Sequence, residues 1–225
     1  MDTISLMNTD RLYWLGRYTE RVYTTLNGYS KSYDNMIDMD FDSYEQMCSD
    51  LDIPNIYRDK DDFIYRYCYD ETDPNSIYSN LMRAYDNAVM IREEIGSEPL
   101  AYIQLAVYEM NKAKASASPL IELQRVVDNI LAFWGIADDL IEDDNVRNII
   151  KVGKRVERID LYGRIGAKKK DLRREVVRLK GRINETILDF DRYRLQELVS
   201  MMDEDNLDYI KIVEDVENLL NKRVS

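Results

Sequence analysis

Two segments of this chain carry residue types that can do chemistry, and they share one spacing. Leu12, Leu15, Gly16, Arg17, Glu20, Arg21 and Val22 correspond position by position to Ile149, Val152, Gly153, Lys154, Glu157, Arg158 and Ile159. On a helix turning ~100° per residue, Gly and Glu four apart share a face, with Glu on the shoulder of the apolar stripe. The Arg after each Glu projects ~100° further round, so each Glu is expected to draw its basic partner from another helix. A helical Gly costs ~1 kcal/mol against Ala, and its recurrence predicts a close backbone approach at both sites. Asp160 adds a second carboxylate near the buried side.

Two chemistries fit this pattern. Glu20, Arg21, Glu157, Arg158 and Asp160 can form an interior ion-pair network that sets helix register, which predicts no deep pocket. Alternatively they line a polar cleft that holds a substrate, a metal or a peptide end. As an enzyme, the chain would use Glu20, Glu157 and Asp160 as acid/base groups or metal ligands, with Arg21, Arg92 and Arg158 as anion clamps. That reading predicts a concave pocket and a carboxylate of perturbed pKa. The absence of histidine removes a Ser-His-Asp triad, a Cys-His pair, His-ligated zinc and the Glu-x-x-His di-iron site. No metal site and no cofactor is assigned.

The elements that must position these residues are helices. Of 225 residues, 45% are hydrophobic and 33% charged, with only eight Gly and four Pro. This is the composition of a folded helical chain, too poor in turn formers for an all-β fold. Helices are expected near 8–28, 42–51, 60–69, 77–96, from 97 onward, 119–136, 144–166, 167–200 and 206–222. Weak signals between 29 and 73 bring the expectation to a bundle of six to eight helices. Phe63, Tyr65, Tyr67 and Tyr69 alternate as a strand would, yet no second strand is available to pair with them. Asn8, Thr9 and Asp10 are read as the first cap, Ser97 and Ser118 as later ones, and Asp144 or Asn145 as the cap of the 144–166 helix. No Pro/Gly/Ser-rich linker interrupts the chain, so residues 1–225 are read as one domain.

Charge and cysteine content narrow the setting. A net charge of −12 disfavours nucleic acid, whose phosphates require a positive surface, and docking on anionic lipid. Two isolated cysteines, Cys48 and Cys68, make no disulfide framework. Residues Met1 to Ser5 do not read as a signal peptide, and no run approaches the ~18–20 apolar residues of a membrane span. The expected compartment is the cytoplasm.

The segments Leu12–Arg21 and Val152–Asp160 resemble the two signature helices of the bacterial alpha-E domain family, named for its Glu-Arg motif. A third segment runs from Asn75-Ser76-Ile77 through Arg83-Ala84, Asn87-Ala88 and Arg92-Glu93 to Ser97, and it is similar to a further motif of that family. The resemblance covers residues 8–165. It implies a helical domain whose polar motif residues are Gly16, Arg17, Glu20, Arg21, Arg83, Asn87, Arg92, Gly153, Glu157, Arg158 and Asp160. It also implies a function: members are commonly encoded beside, or fused to, ATP-grasp-type peptide or amide ligases and transglutaminase-like proteins. The implied role is a non-catalytic accessory of such an enzyme. A purely structural helical module is the bland alternative.

Three further patterns have plainer readings. Asp138-Asp139-Leu140-Ile141-Glu142-Asp143-Asp144 resembles the acidic cluster of prenyl synthases, but acidic groups opening a helix explain it. Lys168, Lys169, Lys170, Arg173 and Arg174, interleaved with Asp171 and Glu175, read as a solvated helix face. The 17 Tyr read as an interior whose hydroxyls reach polar groups.

Overall fold

The computed structural model describes residues 4–38 and 43–220, with side chains over 4–28 and 44–220. Among these, eleven helices follow one another: α1 (Leu6–Asp38), α2 (Ser43–Leu51), α3 (Lys60–Tyr69), α4 (Ile77–Met90), α5 (Arg92–Ile95), α6 (Ser97–Lys114), α7 (Pro119–Leu140), α8 (Asp144–Arg164), α9 (Lys169–Ile183), α10 (Arg192–Met201) and α11 (Tyr209–Glu217). One isolated antiparallel bridge joins Phe190 to Leu220. Among the described residues, no helix is long and apolar enough to cross a membrane. The expected helix limits at 42 and 222, and Met1 to Thr3, lie outside them.

The expected count of six to eight helices is too low, and the differences have local causes. Ile91, at φ −113° and ψ 27°, breaks the 77–96 stretch into α4 and α5. The expected 167–200 helix ends at Ile183. Asp191 then starts α10 by accepting the amides of Tyr193 (2.9 Å) and Arg194 (3.1 Å). An Asp at an N-cap satisfies amides that have no intrahelical acceptor, and the backbone of Asp191 is itself tied to Leu219 (2.8 Å). In the other direction, α1 is longer than expected. Ser5 opens it, its Oγ accepting the Asn8 amide (3.1 Å), and the helix runs through Gly28 to Asp38. Asp143, not Asp144 or Asn145, caps α8. At α6 the N-cap is Gly96, at φ 83°, while Ser97 Oγ accepts from Arg92 (2.8 Å). Ser118 makes no side-chain cap.

The alternating aromatics of residues 63–69 lie on α3. Phe63 and Tyr67, four apart, stack at 5.1 Å and are buried, whereas Tyr65 is 51% exposed. They belong to one of two hydrophobic clusters, which gathers Val22, Leu26, Ile77, Met110 and Ile130 from α1, α4, α6 and α7. The other gathers Leu12, Leu15, Ile149, Val152, Leu172 and Ile212 from α1, α8, α9 and α11. Trp134 packs against both. Burying each large aliphatic side chain contributes about 1.5–3 kcal/mol. The helix α1 thus threads both clusters and carries the first Glu-Arg segment into the interior.

Cys48 and Cys68 are buried free thiols. Burial pushes their pKa values up, Cys48 to about 11 and Cys68 to about 12. Since the thiolate is the reactive form, both are expected to resist a thiol-reactive dye at neutral pH until the protein is denatured. Fast labelling of the native protein would contradict this packing.

Candidate functional site: a reciprocal Glu-Arg crossing beside a polar cleft

The helices α1 and α8 touch backbone to backbone. A Cβ on Gly16 would overlap the Ile150 carbonyl oxygen and lie 3.1 Å from the Lys154 amide nitrogen. A Cβ on Gly153 would overlap the Tyr13 carbonyl oxygen and lie 3.0 Å from the Arg17 amide nitrogen. Tyr13 and Ile150 occupy matching positions of the two segments, as do Arg17 and Lys154. The contact is therefore reciprocal, and the two helices run in the same direction with equivalent residues side by side. Only glycine permits this approach.

One turn beyond the glycines, each glutamate takes its cations from the opposite helix. Glu157 accepts from Arg17 Nε (2.7 Å) and from Arg21 through Nε and Nη2, the latter at 3.1 Å. Glu20 accepts from Arg158 Nε (2.6 Å) and faces Lys154 Nζ at 3.8 Å. Glu20 and Glu157 are 0% and 5% exposed, so these pairs sit where solvent screening is weak. Arg17 also reaches Asp160 (3.1 Å), which Arg164 holds from one turn along α8 (2.7 Å).

The two glutamates titrate in opposite directions. Burial pushes Glu157 up, but the Arg21 and Arg17 guanidinium groups outweigh it and hold the carboxyl below its ordinary value. Burial also pushes Glu20 up, and there Lys154 and Arg158 do not compensate, so its pKa is raised. Lys154 is itself desolvated, with its Nζ 3.8 Å from the Trp134 ring centroid, and its pKa falls to about 7 despite the attraction of Glu20. Burial and the charge of Glu157 likewise raise Asp160, against Arg164 and Arg17. Where the first copy has Arg17, the second has Lys154, and the lysine is the weaker cation.

A test follows from this difference. Lys154→Arg supplies a group that stays charged when buried, and the Glu20 carboxyl is expected to titrate lower, read by carbon NMR of its Cδ. An unmoved Glu20 would show that Lys154 is not the cause. The linkage has a definite sign. The folded pKa of Lys154 lies below the unfolded value, so the unfolded chain binds more protons between pH ~7 and ~10 and stability rises with pH there. Lys154→Met is expected to flatten that rise.

The remaining motif residues divide. Arg83 donates to the Pro74 carbonyl (2.7 Å) and lies over the Tyr18 ring at 5.7 Å. Asn87 accepts from Arg11 (3.4 Å) and borders a small hollow with Trp14, Tyr18 and Arg83. Arg92 is exposed and its guanidinium donates to Ser97 Oγ, away from the crossing.

Several participants were invisible as such in the sequence. Glu175, read as part of a solvated face, is fully buried and draws in Arg155 (2.6 Å), Arg178 (3.1 Å), Arg174 (3.2 Å) and Arg158 (3.8 Å). Its position beside Leu172, Val176 and Leu179 on the apolar side of α9 was the available signal. The acidic 138–144 run is dispersed, with Asp138 on Lys151, Asp143 as a cap and Asp144 on Arg147. Among the described residues, no three carboxylates or thiols are grouped to hold a metal ion. In the basic cluster, Arg173 pairs with Asp203 (3.0 Å) and Lys169 with the Glu204 carbonyl.

A cleft of about 420 Å³ opens beside the crossing, lined by Arg17, Arg21, Arg83, Arg164, Glu157 and Asp160, with Trp14, Tyr18 and Tyr67 as aromatic wall. The ion-pair expectation of no deep pocket is corrected here. The Arg21 side chain is 36% exposed, so the network has a solvent-facing side. A second cavity of about 590 Å³ is lined by Arg158 with Tyr23, Met47, Leu51 and Tyr162.

Fold and crossing together define a helical bundle in which two like-directed helices are joined by reciprocal Glu-Arg pairs. This chain belongs to the Alpha-E family, described as a predicted alpha-helical domain with a conserved ER motif, whose family model matches residues 8–204. The match reaches beyond residue 165, where the motif resemblance stops, and takes in α9 and α10. No curated protein and no solved structure matches the chain.

Proposed function

We propose that this chain is a non-catalytic accessory of an ATP-grasp-type peptide or amide ligase, or of a related peptide-modifying system with a transglutaminase-like protein. It acts in the cytoplasm as one helical domain over residues 1–225, with no cofactor of its own. One observation carries the non-catalytic part. Glu157, which lines the cleft, is held between Arg17 and Arg21 and its pKa is lowered, and a carboxylate so held is a weak base and a poor ligand for a further cation. The link to a ligase rests on the family resemblance and is functional association, not chemistry read from residues.

Co-purification from the native cell, followed by an assay of the complex for ATP-dependent amide formation, tests this role. Capture of a ligase whose activity depends on the chain is the expected result, and a chain that binds no ligase encoded beside it overturns the proposal. The cleft supports a second reading, an enzyme using Glu157 and Asp160. Glu157→Gln separates the two: loss of an activity at a temperature where the variant is folded favours the enzyme, whereas a lower melting temperature alone favours the accessory.

A further inference from the structure

The charges lining the 420 Å³ cleft are balanced in number but not in place. Arg17 and Arg21 are matched by Glu157 and Asp160. Arg83 is different: its guanidinium meets a carbonyl and a tyrosine ring, with no carboxylate partner among the described residues. Elsewhere in the lining, Asp52 (3.1 Å) and Glu217 (2.6 Å) share the one guanidinium of Arg164, which also serves Asp160. One part of the wall therefore has an unmatched cation and another a surplus of carboxylate. Asn80 sharpens the picture, standing one turn before Arg83 on α4. Its Nδ2 donates to the Ser76 (2.8 Å) and Asn75 (3.2 Å) carbonyls. That fixes the amide, which is 2% exposed, and leaves Oδ1 without a donor.

We infer that this cleft binds a short zwitterionic peptide, with its carboxylate on Arg83 and its ammonium at Asp52 and Glu217. A guanidinium fork suits a planar carboxylate, and one unmatched cation suits a monoanion better than a phosphate dianion among four carboxylates. Residues three apart on a helix have Cβ atoms ~5–6 Å apart, and the donorless Oδ1 of Asn80, a residue of the cleft lining, accepts the amide N–H that precedes the C-terminal carboxylate. Trp14, Tyr18 and Tyr67 supply the apolar wall for a side chain. The inference stands independently of any ligase, since the isolated chain suffices.

Calorimetric titration of the full chain with alanyl-alanine, alanyl-phenylalanine and alanyl-glutamate tests it. At least one is expected to bind with a Kd in the millimolar range or tighter. Arg83→Ala and the C-terminal carboxamide of that dipeptide should each weaken binding ~10-fold or more, with the variant's melting temperature unchanged. Arg83→Gln serves if loss of the Pro74 hydrogen bond lowers stability in the alanine variant. Asp52→Asn, which suits the positive φ of 54° at this position, should weaken the free dipeptide but not its N-acetyl form. Absence of binding by all three dipeptides overturns the inference. So does affinity indifferent to both Arg83 variants, or inorganic phosphate that binds as tightly as the dipeptide.

Discussion

Gly153→Ala is expected to destabilise the protein by about 3 kcal/mol, lowering the Tm by on the order of 10 °C. On propensity alone the change should help, since Ala is favoured over Gly in a helix by ~1 kcal/mol. The added methyl would instead enter the Tyr13 carbonyl and approach the Arg17 amide nitrogen at 3.0 Å. Both obstacles are backbone, so relief requires α1 and α8 to separate. Separation lengthens the pairs of Glu157 and Glu20 as well, because they straddle the same crossing. Gly135→Ala, in the interior of α7, has nothing within 4 Å of the new atom and should gain up to ~1 kcal/mol. Thermal or denaturant unfolding of the two variants decides the matter. Equal effects of the same sign would remove the close approach as the reason for glycine at 153.

Glu157→Gln is expected to cost about 3–5 kcal/mol, the usual consequence of removing one partner from a buried ion pair. The variant leaves Arg17, which is 7% exposed, and Arg21 facing each other with no anion between them except the more distant Asp160. The wild-type acid limb should change too. The pKa of Glu157 is lower in the folded protein than its ordinary 4.5, so its contribution is present above that value and is lost as pH falls through the folded pKa. In Glu157→Gln that part of the acid limb is expected to flatten. Combining the substitution with Arg17→Gln should cost clearly less than the sum of the two, a coupling detectable by a double-mutant cycle. Strict additivity would mean that the two groups do not depend on each other.

Such networks often contribute less to net stability than to the uniqueness of a fold. Here the arrangement gives a specific reason for retaining charge. Matched residues of α1 and α8 meet side by side, and a purely apolar stripe would allow the helices to slide by a turn with little penalty. Reciprocal Glu-Arg pairs are satisfied in one register only, the one in which Gly16 and Gly153 lie opposite backbone.

Much of this was legible in the amino-acid order, because it depends on local periodicity. The helical class, the absence of a strand at 63–69, the two Gly-Glu-Arg segments and the need for partners on another helix follow from spacing and propensity. Helix boundaries were less legible. Whether Asp143, Asp144 or Asn145 caps α8, and whether 167–200 forms one helix or two, depends on side chains and backbone brought in from far along the chain, such as Leu219 beside Asp191.

What only the tertiary structure decided is which chemically similar residues differ. Gly135 and Gly153 are both helical glycines, yet one faces open space and the other a carbonyl. Glu175 looks like any glutamate in a basic run, and it is the fully buried hub of four arginines. Arg83 and Arg92 both stand in the 75–97 segment, but of the two Arg83 alone lines the cleft. Sequence determines the face of a helix on which a group stands, through the fixed angle between successive residues. Its surroundings, and hence its charge state and partners, are set by the helix packed against that face, which local spacing does not specify.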